Sequence, residues 1–314
     1  MSDDNDTRSA DPQQLVDGLV KLLTVEKRAA DIYCGRQQKG GVGRVFGGQV
    51  LAQALQAAQA SVTDGKTAHS LHAYFLRGGR EGAPIKYRIA RDFDGRSFAN
   101  RRVVATQEGD DGMPCPILNL TASFQTPETG LEHEDAPMPD VVGPDDLRPD
   151  MEVRRETVEK LGDRLNDAQR ALMLRPRAIE MRTHDKLHWM NSDPKPPRAH
   201  SWFRTVAPLP DDPALHRAVI TYASDYTLLG TSALPHGLSW MRGELVGASL
   251  DHAIWFHRPI DEHTRADEWL LYATDSPWSG SGRGFNRGRI YNRRGDLVAS
   301  VAQEGMMRKR KKRD

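Results

Sequence analysis

Cysteine is nearly absent, with Cys34 and Cys115 the only two in 314 residues. Two thiols cannot make a disulfide framework or a cysteine-built metal site, so a reducing compartment is expected. Long apolar runs are missing as well: no stretch approaches the roughly 18 consecutive apolar residues of a membrane span. With 38% hydrophobic and 28% charged residues, the composition is that of an ordinary globular chain. An excess of one charge is also lacking. The net charge is +1, and it depends on the run Arg308 to Arg313 at the end. Without that run the body is mildly acidic, which implies no general basic face for nucleic acid. The start, MSDDNDTRSADPQQ, has neither the basic region nor the apolar run of a secretory signal. The chain closes on Lys312-Arg313-Asp314, which is not a peroxisome address, so a cytoplasmic location is the default expectation.

Several motifs of catalysis are absent too. Gly247-Ala248-Ser249-Leu250-Asp251 carries only the first half of G-x-S-x-G, which disfavours an activated-serine hydrolase. The glycine-dense segment Gly40 to Gly48 lacks G-K-[ST] and complete G-x-G-x-x-G spacing, which disfavours nucleotide phosphate binding. His69, His72, His252 and His257 invite a metal reading. Within each pair, however, the separation is odd, and such residues face opposite sides of a strand, so a structural or surface role is expected for them. Neither cysteine sits in a nucleophile context.

What is present has a regular order. Asp11-Pro12 reads as a helix start, followed by Leu15, Leu19, Leu22 and Leu23 on one face. The glycine loop feeds a buried, alanine-rich helix over Gln49 to Val62. Strand-like runs come next at Ser70–Leu76, Ile85–Arg91, Ser97–Thr106 and Ile117–Gln125. A polar, proline-bearing stretch then leads into a helix from Met151 to Leu174. Beyond it the order returns: strands near Ile179–Met181 and Ala199–Val206, a helix over Ala214–Thr227, and strands near Ala248–His257, Trp269–Asp275, Gly284–Asn292 and Leu297–Met307. The expected division is a disordered N-terminus (1–11), a first unit (12–127), a linker with its own helix (128–175), a second unit (176–307) and a basic tail (308–314).

The second unit repeats the first residue by residue. Ala73-Tyr74-Phe75-Leu76-Arg77 matches Ile254-Trp255-Phe256-His257-Arg258, and Arg96-Ser97-Phe98 matches Arg283-Gly284-Phe285. Thr121 to Gln125 is matched with Ala299 to Gln303. The three spacings are 181, 187 and 178 residues.

The chain resembles the acyl-CoA thioesterase II family in Val45-Phe46-Gly47-Gly48-Gln49, His69 to Arg77, Gly95-Arg96-Ser97-Phe98 and Ala122-Ser123-Phe124-Gln125. In the second half the resemblance lies in Tyr222-Ala223-Ser224-Asp225, Leu250 to Pro259 and Gln303-Glu304-Gly305. It implies an α+β fold of two tandem hot-dog repeats, each an antiparallel sheet wrapped around a long central helix. It also implies hydrolysis of fatty acyl-CoA to free acid and coenzyme A without a cofactor. By the same resemblance Asp225, Ser249 and Gln303 hold the attacking water. Threonine is usual at the hydroxyl position, so Ser249 departs from the pattern while keeping the oxygen. Alignment of Gly47–Gln59 with Leu215–Thr227 sets Ala57 opposite Asp225, which makes the first half the non-catalytic copy.

Those residue types suit the reaction. A thioester carbonyl is reactive enough for water once a base takes its proton, which a carboxylate can do with no covalent partner. Ser249 and Gln303 can each donate or accept, and so can fix a water. Gly47 and Gly48 open a helix whose first N–H groups could face a developing oxyanion. Arg44, Arg283 and Arg287 are candidates for the coenzyme A phosphates, since arginine matches phosphate geometry. Two other readings are an enoyl-CoA hydratase of hot-dog type and a silent acyl-CoA binding protein. Against the first, Asp251 and His252 are adjacent and so face opposite ways on a strand. A homo-oligomer is expected by analogy, without nucleic acid, metal or membrane span.

Overall fold

The Asp11 carboxylate accepts a hydrogen bond from the Gln13 N–H at 3.0 Å, and Pro12 pre-sets the first helical φ, so helix α1 (Pro12–Leu23) starts where the sequence suggests. In the computed structural model, which describes residues 11–38, 43–184, 193–238, 240 and 242–310, α1 buries Val16, Leu19, Leu22 and Leu23. The disordered stretch expected over 1–11 therefore falls, except for Asp11, outside the described residues. Part of the glycine loop and the last four residues of the basic tail also lie outside them.

A hairpin follows, β1 (Val25–Ala29) and β2 (Ile32–Gly35), turning at Asp31 with φ 55°. The pattern Val-Glu-Lys-Arg-Ala gives no alternation, so nothing in it announces a strand. Helix α2 (Gly47–Gln59) comes next, with β3 (Thr67–Phe75), β4 (Ile85–Asp94), β5 (Phe98–Glu108) and β6 (Pro114–Gln125). The single helix expected over Met151–Leu174 is two. α3 (Asp150–Leu161) ends at Gly162, whose φ of 48° suits glycine, and α4 (Asp167–Leu174) restarts from a capping box of Asn166 and Gln169.

The second half consists of β7 (Ile179–Thr183), β8 (Arg198–Thr205), α5 (Pro213–Ser224), the short α6 (Leu228–Thr231), β9 (Leu245–Ser249), β10 (Asp251–Phe256), β11 (Leu270–Gly280), β12 (Arg283–Tyr291) and β13 (Leu297–Lys309). The strand expected over Ala248–His257 is divided at Leu250. There the N–H donates to the Glu304 carbonyl while the Leu250 carbonyl accepts from the Phe75 N–H. Among the described residues the strands form one antiparallel sheet, ordered β1-β2-β4-β5-β6-β3-β10-β13-β12-β11-β8-β7, with β9 also paired to β13. α2 packs on α5 inside it, and a single apolar cluster draws on both helices and both halves of the sheet. This is the double hot-dog arrangement. No helix among the described residues is long and apolar enough to cross a membrane.

The joint between the halves is β3 against β10. Tyr74 pairs with Asp251, Ser70 with Trp255, and His72 with Ala253 midway. The spacing of 181 residues exchanges the first two pairs and returns the third to itself, so the two strands are related by a local two-fold axis. Carried outward, the register pairs Leu71 with Ala122, and Ala122 with Arg101. In the second half His252 falls opposite Gln303, one step beyond the Ala253–Ala302 pair, and Gln303 faces Asn286. Ala122 is thus the counterpart of Gln303. The sequence match of Gln125 with Gln303 is overturned by this register, because an odd slip would send every side chain to the other face. The match of Arg96-Ser97-Phe98 also slips, by two residues: Phe98 pairs with Gln125 while Arg283, not Phe285, occupies the corresponding place opposite Met306.

Candidate active site

Helix α5 ends at Ser224, and Asp225 is its C-cap rather than a residue within it. The start of α2 meets this end. A Cβ on Gly48 would lie 2.5 Å from the Tyr222 carbonyl oxygen, and one on Gly47 would lie 2.6 Å from Asp225 Oδ2. Both positions therefore require glycine for close approach. Phe46, just before them, stacks on Tyr226 at 5.0 Å and meets Tyr222 edge-on at 5.1 Å between centroids. The aromatic trio holds the two helix ends together.

Ser249 ends β9 and directs its hydroxyl to Asp225 Oδ1 at 3.4 Å. Gln303, on the inward face of β13, donates from Nε2 to Ser249 Oγ at 2.6 Å. The structure brings these three sequence-derived candidates together. Burial pushes the Asp225 carboxyl up from the usual aspartate range to about 7, opposed by the Gly48 N–H, the Ser249 hydroxyl and the Gln303 amide. An aspartate at that value is partly ionised at neutral pH and can take up a proton. Behind Gln303 lies His252, fully buried, with Nδ1 2.7 Å from Gln303 Oε1 and Nε2 2.9 Å from Ser224 Oγ. Burial holds its imidazole down at about 4, so it is neutral. The expectation of a structural or surface role missed this contact. Alternation does place His252 inward and Asp251 outward, where Asp251 Oδ1 accepts from the Glu304 N–H at 2.7 Å.

Asp225 and Ser249 open onto a cleft of about 1320 Å³ that also reaches Gly47 and Arg44. Gln303 and His252 do not line it; they stand one layer behind Ser249. Gly48 does not line it either, because its N–H is turned to Asp225. Arg283 and Arg287, expected near a phosphate, lie elsewhere: on the outward face of β12 they bond Glu304 at 3.0 Å and Asp275 at 2.9 Å. The cleft's basic side chains are instead Lys21, Arg36, Arg44, Arg77, Arg175 and Arg177. Only Arg44 among them was legible, from its place beside the glycine loop. Apolar walls come from Leu15, Leu19 and Leu22 of α1 and from Val50 of α2. Among the described residues no group of three or more histidine, cysteine, aspartate or glutamate side chains could hold a metal ion.

The first half has no such constellation. α2 ends with Ala60 as C-cap, so cap-to-cap comparison sets Ala60, not Ala57, opposite Asp225. The His69 ring there bonds Ser123 at 2.9 Å, His72 meets Trp255 edge-on, and His257 bonds Ser300 at 2.8 Å.

Residues 36–125 match the acyl-CoA thioesterase N-terminal domain family, and residues 144–307 match the acyl-CoA thioesterase C-terminal domain family. The chain is 35% identical over 294 residues to acyl-CoA thioesterase 2 of Haemophilus influenzae, covering 94% of this chain and 98% of that one. It is 34% identical over 293 residues to acyl-coenzyme A thioesterase 8 of Homo sapiens, covering 91% and 88%. Among solved structures, an acyl-CoA thioesterase II of Mycobacterium marinum superposes with a TM-score of 0.71 at 37% identity, over 92% of this chain and 98% of its own.

Proposed function

Since the chain belongs to the acyl-CoA thioesterase family, whose two domain types it carries in order, we propose that it hydrolyses fatty acyl-CoA to free fatty acid and coenzyme A, with Asp225 as general base and no covalent intermediate. The observation that carries this reading is the placement of Asp225. It is a carboxyl raised to about 7, facing the cleft between the glycine start of α2 and the Ser249 hydroxyl.

Asp225 and Ser249 hold a water between them. Asp225 removes its proton as the oxygen attacks the thioester carbonyl, and Gln303 acts from behind by fixing Ser249. The carbonyl oxygen becomes an oxyanion beside the start of α2, where the helix dipole favours negative charge. Collapse breaks the C–S bond, and the departing thiolate takes the proton back from Asp225. The apolar wall of α1 and α2 suits an acyl chain. Arg44, Arg77 and Arg36 suit the phosphates of coenzyme A.

Free-thiol release from a chain-length series of acyl-CoAs, with mass spectrometry of the intact protein during turnover, tests this. Thiol release without an acylated protein is the expected result. An acyl adduct would contradict the general-base route, and binding by calorimetry without thiol release would leave a binding protein in its place.

A further inference from the structure

His252 sits at 0% exposure on β10, and at the two-fold related position of the first half, Leu71 is equally buried on β3. The fold therefore accommodates a simple aliphatic residue at this place in the strand. A buried imidazole costs more than leucine unless both ring nitrogens find partners, and here both do. Its neighbour across the strand differs in step: Ala122 beside Leu71, Gln303 beside His252. Histidine is present where there is an amide to direct.

Either tautomer gives the ring two partners, and the two differ in what they leave for Asp225. A neutral imidazole has one N–H and one lone pair. If Nδ1 carries the proton, it donates to Gln303 Oε1 at 2.7 Å, and the Nε2 lone pair takes the one proton of the Ser224 hydroxyl at 2.9 Å, drawing it from the Thr221 carbonyl, which also lies at 2.9 Å. Gln303 must then present Nε2–H₂ to Ser249 Oγ, at 2.6 Å, which leaves the Ser249 proton free for Asp225 Oδ1. If Nε2 carried the proton, the Gln303 amide would have to turn over. Its oxygen would face Ser249 and compete with the Asp225 carboxylate for the one hydroxyl proton. Only the first arrangement gives an ionised Asp225 the Ser249 hydroxyl as a donor beside the Gly48 N–H.

We propose that His252 is a positioning residue: it locks the Gln303 amide in the orientation that turns the Ser249 hydroxyl toward Asp225. This rests on the reading of Asp225 as the base, and it concerns how that base is held rather than a further contact with substrate. The other groups facing Asp225 are the Gln303 amide itself, the Gly48 N–H from α2 and, close by on β11, the buried Tyr272, whose hydroxyl donates to the Ser224 carbonyl at 2.9 Å. Of these only Gln303 bonds His252 directly, so the variants act on Asp225 through that amide.

Asparagine places its amide nitrogen close to where histidine has Nδ1, and glutamine places its own close to Nε2. His252→Asn therefore keeps the donor to Gln303, His252→Gln offers one to Ser224 instead, and His252→Leu reproduces the first-half residue. With carboxyl-labelled aspartate, the Asp225 signal is identified by its loss in Asp225→Asn and then titrated by carbon NMR in each variant. Thiol release is followed alongside. The expected result is a wild-type midpoint and kcat within about 3-fold for His252→Asn. In His252→Gln and His252→Leu the midpoint moves up, as the carboxylate loses a donor, and kcat falls about 10-fold or more at constant KM. Equal titrations in all four proteins, or equal losses in Asn and Gln at matched melting temperature, overturn the proposal. A wild type that releases no thiol would sink the thioesterase reading alone, since the titration still reports on His252.

Discussion

Across the inward face of the sheet the second half reads His252, Gln303 and Asn286, and the first half reads Leu71, Ala122 and Arg101 at the same places. In the second half the row supports an acid at a helix end. In the first, Arg101 turns its guanidinium to the segment after α2, bonding Ser61 Oγ at 3.0 Å and the Ser61 carbonyl at 3.4 Å, with Asp94 at 2.5 Å. The helix starts differ in the opposite sense. α2 opens with Gly47-Gly48 against Asp225, whereas α5 opens with Asp212-Pro213: proline has no N–H, and the Asp212 carboxylate already accepts from the Ala214 N–H at 2.9 Å. One half supplies a helix start that its own N-cap residue, Phe46, leaves without a side-chain bond, and the other supplies the acid that meets it. A duplicated fold thus yields one candidate site, shared between the copies, and the reciprocal place is closed by an arginine brace and a capped helix.

The comparison breaks most visibly at Asp225. Asp225→Asn is expected to lower thiol release by about 10²- to 10⁴-fold, the usual worth of a general base. The same change should raise the melting temperature at pH 8. An acid whose folded pKa lies above its unfolded value binds more protons when folded, so its destabilising effect grows from about pH 4 to about 7 and stays constant above. Melting curves of both proteins at pH 4 and pH 8 check the sign, with the difference vanishing at the lower pH. Next in size is Gly48→Ala. Its methyl would press on the Tyr222 carbonyl, which belongs to backbone and cannot step aside, so about 1–3 kcal/mol of stability and most of the activity should be lost together. Denaturant midpoints and kcat on one preparation would show whether the two losses coincide.

Arg101→Met sharpens the contrast from the other half. It strands the Ser61 and Asp94 partners and should cost about 1–3 kcal/mol. Thiol release per folded chain should stay unchanged, which a urea melt and an assay below the transition would resolve. The smallest effect is expected at Ser249→Thr, which keeps the hydroxyl and adds one methyl group. Activity within about 5-fold of wild type is expected, against at least a 10-fold loss for Ser249→Ala, where the oxygen facing Asp225 is gone.

Much of this was legible in the residues. Alternation and punctuation located α1, α2, α5 and most strands, and the resemblance pointed to Asp225, Ser249 and Gln303 before any distance was known. The hairpin β1–β2 was hidden because its outer strand is charged and has no period. The register between the copies was hidden because Thr121–Gln125 and Ala299–Gln303 are both strand-like runs closing on glutamine, at a slip that hydrogen bonding does not permit. Arg283 and Arg287 misled for a related reason: a strand arginine is a phosphate ligand or a solvated ion pair according to the face it occupies, and β12 turns both outward. His252 needed three dimensions. Its partners Ser224 and Gln303 are 28 and 51 residues away, and no local spacing joins them.

The pH dependence of kcat/KM between pH 5 and pH 9 tests the central claim most directly, because it reports the essential ionisation in the free enzyme. With Asp225 as the base, the rate should rise tenfold per pH unit at the acidic end and level off above a single midpoint near 7. A profile that is flat across this range, or one that falls as pH rises through 7, would contradict the assignment of that aspartate as the group that activates water.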